Sequence, residues 1–141
     1  MATIDEDGNL SAWSVLPNLP FVFYRGQLAV IKNYIYFFGD VGASYIYRAK
    51  INSDGSYQTP VLYGNLPVTI CESQVVVTKN RVYLLGGSID GVRSNVVYTN
   101  TFDSNGDIGP FWSWVEPLPA ILAFSAVAVV KNKVYLSCGI S

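Results

Sequence analysis

Apolar and polar positions along this chain fall into one pattern that occurs three times. Leu28–Asp40 (LAVIKNYIYFFGD), Val75–Gly87 (VVVTKNRVYLLGG) and Val127–Gly139 (VAVVKNKVYLSCG) each hold an apolar run, a Lys-Asn pair and a second apolar run bearing Tyr. In the middle copy, QVVVT is a continuous β-branched run, suited to a strand buried on both faces. Lys-Asn predicts a two-residue hairpin in which Asn takes the positive φ. The next strand, RVYLL, ends at Gly86-Gly87, where missing side chains permit close backbone approach. A third strand is predicted over SNVVYTNTF, and the DSNGD turn leads into a short fourth. No segment carries a helical period, so the pattern predicts an all-β chain.

The register extends well beyond the Lys-Asn pairs. Asn33, Asn80 and Asn132 stand 47 and 52 residues apart, and Leu19-Pro20, Leu66-Pro67 and Leu118-Pro119 keep the same steps. Polar turns ending in Gly recur at Gly8, Gly55 and Gly106. Four of the additional residues in the longer step fall in Ser88–Asn95, which predicts a longer loop there than at Val41–Ser44. Repeats of about 50 residues, near 1–48, 49–99 and 100–141, thus account for the whole chain as one domain. Leu-Pro breaks each ladder before the next unit begins.

At YLLGG and YFFGD the unit resembles a kelch-type β-propeller blade, as in kelch proteins and the central domain of galactose oxidase. The resemblance rests on the inner apolar strand, the tight turn, the Tyr-bearing second strand and the Gly doublet. The doublet is intact only in the middle repeat; the first has Gly39-Asp40 and the third Cys138-Gly139. The resemblance implies four-stranded blades, about three per chain. ATIDEDGNLSAW at the start matches AKINSDGSYQTP (Ala49–Pro60), and KVYLSCGIS at the end stops just past a second strand. The two ends read as complementary parts of one blade. Propellers typically have four to eight blades. The expectation is therefore a homodimer that closes six blades, with a fragment of a longer propeller as the alternative.

Composition narrows the chemistry. Half of the 141 residues are hydrophobic, 13% are charged, and 10 Tyr with 7 Phe make the chain aromatic-rich, which excludes a disordered segment. Net charge is −1 without a basic cluster, which argues against a nucleic-acid partner. No run approaches the roughly 18 apolar residues of a membrane span, and MATIDEDGNL lacks the build of a signal peptide. The compartment stays open between cytoplasm and a virion or particle, and no membrane partner is expected. There is no His, the commonest general base and metal ligand. Galactose oxidase's copper activity, with its His ligands, does not carry over. Cys71 and Cys138 lack metal-ligand spacing and read as structural thiols. Asp103, Asn105 and Asp107 imitate the start of a calcium loop, but the distal Glu is missing and the phase is that of a hairpin turn. No cofactor or metal is expected, and no nucleophile–base set can be assembled. Asp40, Asp90, Glu72 and Glu116 are carboxylates without a catalytic partner in the spacing.

Function is expected in loops on a rigid scaffold. In a propeller, the second-to-third strand loops and the blade connections ring one face: Asp40–Ser44, Ser88–Ser94, Leu19–Arg25, Leu66–Glu72 and Leu118–Phe124. Just ahead of the inner strands, equivalent positions hold Arg25, Glu72 and Phe124. With Tyr24, Asp40, Asp90 and Arg93 they form the candidate ligand site at the channel mouth, although Arg25 and Glu72 also suit a simple ion pair between neighbouring units. Phe21, Phe23, Trp112 and Trp114 are candidate aromatic platforms, or packing between units. The expected function is non-catalytic recognition of a protein segment or a glycan. The alternatives are a structural part of a particle or appendage, and a carbohydrate-active enzyme.

Overall fold

The computed structural model describes residues 1–137 and Gly139; the thiol of Cys138 lies outside the described residues. The described residues are all-β. Strands β1 (Gln27–Ile31), β2 (Tyr34–Asp40), β3 (Ala43–Lys50) and β4 (Val61–Asn65) form sheet one, antiparallel and in sequential order. Sheet two holds β5 (Ile70–Cys71), β6 (Gln74–Val77), β7 (Arg81–Ile89), β8 (Val92–Thr101) and β9 (Ser113–Val115). Both β5 and β6 pair with β7, so they act as one first strand interrupted at Glu72-Ser73. β10 (Ala126–Val130) and β11 (Lys133–Ser137) form a two-stranded hairpin. Residues 1–15 make a further hairpin, through an Ile4–Leu10 bridge and backbone bonds between Ser11 and Thr3 and between Ser14 and Met1.

The turns differ from the sequence expectation in two ways. The positive φ of the Lys-Asn turns sits on Lys32 (55°) and Lys131 (54°), the first turn residue, and not on Asn. The extra residues of Ser88–Asn95 lengthen strands instead of a loop. β7 runs to Ile89 and β8 starts at Val92, leaving Asp90-Gly91 with φ of 49° and 83° as the turn. Asp-Gly is the dipeptide that a two-residue turn with two positive φ values favours, so local turn chemistry decides the outcome.

Alternation along β7 divides the core. Val82 and Leu84 face sheet one, where they join Ile31, Tyr36, Phe38 and Ile46, with Phe102 and Ile108 of sheet two's outer turn. Tyr83 and Leu85 face the β10–β11 hairpin with Val76, Val97, Val127 and Leu136. This is the period-2 arrangement of a strand buried on both faces.

A polar lock joins the first two sheets. The Tyr36 hydroxyl donates to the Gly106 carbonyl at 2.7 Å and accepts from Arg48 Nη1 at 3.1 Å. Arg48 also pairs with Asp107, and its guanidinium lies 4.3 Å from the ring centres of both Tyr34 and Tyr63. Tyr63 in turn donates to the Ile108 carbonyl at 2.5 Å. The DSNGD segment is a turn: Asp103 Oδ1 accepts the backbone N–H groups of Asn105 and Asp107, each at 2.9 Å. Those bonds hold the Asp103 carboxyl below the usual carboxylate range.

Glycine sets the spacing between units. The ladder shifts register at Gly39 and at Gly86, both left-handed with φ of 66° and 61°. A Cβ on Gly39 would stand 2.0 Å from the Ile70 carbonyl oxygen, and one on Gly86 2.5 Å from that of Leu122. Gly42 has φ of 78° with nothing within 4 Å. Gly42→Ala therefore carries only the backbone cost, roughly 1–2 kcal/mol. Gly39→Ala adds overpacking and loses about 3 kcal/mol or more. Urea unfolding of the two variants side by side measures the difference.

Burial pushes the Tyr36 hydroxyl up to about 12, only partly offset by Arg48. The unfolded chain releases this proton near pH 10 and the folded chain keeps it, so folding stability falls as pH rises between those values. The slope is at most about 1.4 kcal/mol per pH unit. Tyr36→Phe, less stable at neutral pH by about 1 kcal/mol, shows a shallower loss over that window in pH-dependent denaturation.

Candidate functional site

The connectors that precede each inner strand converge at one end of the sheets. Arg25, Glu72 and Phe124 all adopt the left-handed conformation, with φ of 61°, 59° and 56°. Non-glycine residues seldom do so, and such strain concentrates at functional positions. Backbone bonds link the three positions in series. The Glu72 N–H donates to the Arg25 carbonyl at 2.8 Å, and the Phe124 N–H donates to the Glu72 carbonyl at 3.2 Å.

Their side chains meet as well. Arg25 Nη1 donates to Glu72 Oε1 at 2.5 Å, with the Glu72 side chain 7% exposed and that of Arg25 42%. The guanidinium lies 5.3 Å from the centre of the Phe124 ring and 4.9 Å from that of Tyr24, within cation–π range of both. Around this group opens a cleft of about 630 Å³, to which Thr69, Cys71, Ser88, Asp90 and Arg93 also contribute. Burial raises the pKa of the Cys71 thiol, which favours the neutral form.

The other predicted positions separate by role. Asp90 Oδ1 accepts the Thr69 N–H at 3.3 Å, tying the β7–β8 turn to its connector at the rim of the cleft. Arg93, on β8 opposite Ser88, lines the same cleft. Asp40 lies outside it. Its Oδ1 accepts the N–H groups of Tyr24 and Val41 at 2.9 and 2.7 Å, so it braces the equivalent turn of sheet one. Phe21 stacks on Tyr47 at 3.9 Å and meets Phe37 edge-on at 5.6 Å, with Phe23 also edge-on to Phe37. Trp112 packs edge-on against Phe38 at 6.1 Å. These three rings are packing between strands and units. Trp114 is 74% exposed on β9, opposite Tyr98, apart from Trp112's packed position. Glu116 borders a different cavity, beside β10–β11.

Sequence reasoning left the cleft hydroxyls of Thr69 and Ser88 unnamed, and read Cys71 only as structural. All three lie within or beside the connector and loop segments it assigned to this face. The left-handed backbone at residues 25, 72 and 124 had no signal in residue type, since Arg, Glu and Phe share none.

The arrangement offers two cations, two carboxylates, hydroxyls and an aromatic face within one opening. Removing Arg25 leaves the nearly buried Glu72 carboxylate without its cation, which is costly. Arg25→Ala lowers the denaturation midpoint at neutral pH, and the double variant Arg25→Ala/Glu72→Gln recovers most of the loss. A double-mutant cycle by chemical denaturation checks the coupling.

No family model matches the sequence, and no curated protein matches it. Among solved structures, "Structure of YjhT" superposes with a TM-score of 0.66 at 19% identity, over 87% of this chain and 36% of that chain. The chain thus spans little more than a third of that protein's length, and the likeness is one of fold.

Proposed function

We propose that this chain is a non-catalytic recognition module, its sheets being blades of a kelch-like propeller and its ligand a protein segment or a glycan. The blade reading is supported by the repeat near 50 residues, the sequential antiparallel order of sheet one, and the register shift at a left-handed glycine in both larger sheets. The recognition reading rests on one observation. Three repeat-equivalent positions, each held left-handed, bring a cation, a carboxylate and an aromatic ring into a single cleft.

The chemistry of the cleft favours binding over turnover. Glu72 is engaged by Arg25 and Asp90 by a backbone N–H, so these carboxylates serve as fixed acceptors. Phe124, 45% exposed, offers an apolar face beside them. A sugar ring or a short polar peptide presents the matching combination, hydroxyl or amide groups next to a flat apolar surface.

Glycan and peptide arrays followed by isothermal titration calorimetry test this. The expected result is saturable binding that Phe124→Ala weakens by about tenfold or more, with no change in thermal unfolding beyond that of an exposed-site control. Absence of any saturable ligand, or binding indifferent to Phe124 and Arg93 replacement, overturns the proposal.

A further inference from the structure

We propose that two copies of this chain close on one another, the hairpin of residues 1–15 in each copy completing the β10–β11 unit of the other. The inference rests on the blade reading above and is independent of what the cleft binds.

The argument begins from the interface between sheets one and two. There Tyr36, Phe38 and Ile46 are covered by Phe102 and Ile108, which flank the Gly106 turn and are 9% and 5% exposed. The interface between sheet two and β10–β11 repeats the first half of this arrangement. Tyr83, Leu85 and Val97 stand where Tyr36, Phe38 and Ile46 stand, as the strand registers require. Among the described residues, β10–β11 packs Val127 and Leu136 against them. Beside it remains an apolar cavity of about 530 Å³, lined by Val76, Tyr83, Leu85, Val97, Leu118 and Leu136. That cavity lies where Phe102 and Ile108 sit at the first interface.

The repeat also names its occupant. Ile4 and Leu10 flank the Gly8 turn and form the same isolated bridge as Phe102 and Ile108. Unlike their counterparts they are 71% and 59% exposed. Within the single chain they do not line the cavity. The hairpin touches sheet one, with the Met1 sulfur 3.5 Å from where a Gly55 Cβ would stand, whereas β10–β11 packs on sheet two. The place Met1 holds beside the Gly55 turn matches that of Arg48 beside the Gly106 turn. The hairpin already sits against sheet one as the outer part of a preceding unit would.

The strand edge agrees. Among the described residues, the pairing of β11 over Lys133–Tyr135 is with β10 alone. In sheet one, Tyr34, Ile35 and Tyr36 pair with Lys50, Ala49 and Arg48. The same register places Thr3, Ala2 and Met1 of a second copy along Lys133, Val134 and Tyr135. Two such seams, related by a two-fold axis, close the assembly. They also continue the backbone series at the cleft. The Phe124 carbonyl of each copy would accept the Arg25 N–H of the other, so that Arg, Glu and Phe recur twice around one opening. The cleft described above is thus half of a two-fold site.

Light scattering behind a sizing column, across a dilution series of the 141-residue chain, is expected to give twice the 15.5 kDa chain mass. Ile4→Asp and Leu10→Asp weaken the dimer by about tenfold or more. Both residues are exposed within the single chain, so these changes leave its fold intact, as circular dichroism verifies. Val15→Asp, at a position 96% exposed, leaves the mass unchanged. Mixing Ala2→Cys chains with Val134→Cys chains under oxidising conditions yields a covalent pair. A monomer at every concentration, an open-ended series of larger species, or a dimer indifferent to Ile4→Asp and Leu10→Asp overturns the inference. A monomer that still binds a ligand through Phe124 leaves the proposed function standing, and a dimer without a ligand leaves this inference standing.

Discussion

Everything in this molecule depends on how closely one unit's second strand approaches the connector of the next. At Gly39 and Gly86 the gap to the neighbouring carbonyl is smaller than a methyl group. The left-handed φ at these glycines produces the register shift in the ladder, and the missing side chain lets the following connector lie against the bulge. That contact sets the separation of the sheets. It thereby sets how much side-chain volume their facing strands can hold, and where the connectors emerge at the open end.

The two interfaces built on this spacing are solved differently. Between sheets one and two the filling is aliphatic with Tyr36, Phe38 and Phe102 set among it, and its rim is polar, with Arg48 wedged among three tyrosines and fastened to Asp107. Between sheet two and β10–β11 the filling is aliphatic apart from Tyr83. An aromatic-and-cation interface fixes orientation through several directional contacts, while an aliphatic one fixes mainly distance. The first interface therefore fixes both the distance and the orientation of sheets one and two.

Much of this was legible in the residues. Apolar runs, the Lys-Asn pairs and the Gly-ended turns locate the strands of every unit, because each is a local signal with a local cause. Position matching across the repeats also picked out Arg25, Glu72 and Phe124, and the structure brings them together. What escaped depends on contacts between units. Arg48 carries the polar lock, yet its counterpart in sheet two is Thr99, which bonds within its own sheet to the Val82 carbonyl. No comparison of repeats could reveal a role that only one repeat has. The aromatic candidates divided for a similar reason. Phe21, Phe23 and Trp112 have rings of their own chain to pack on, and a ring's type does not say whether its neighbour will be protein or ligand.

The series of backbone bonds through residues 25, 72 and 124 has a further consequence. Amide and carbonyl groups hold these three positions, and any residue but proline supplies both. The backbone series thus accepts unlike residues, as Arg, Glu and Phe at matching places illustrate, while the Arg25–Glu72 ion pair makes those two side chains part of the scaffold as well. Phe124, 45% exposed, is the position where a substitution changes the face of the cleft and leaves the backbone series in place. One backbone series thus carries three unlike side chains, of which Phe124 is the one open to rewriting.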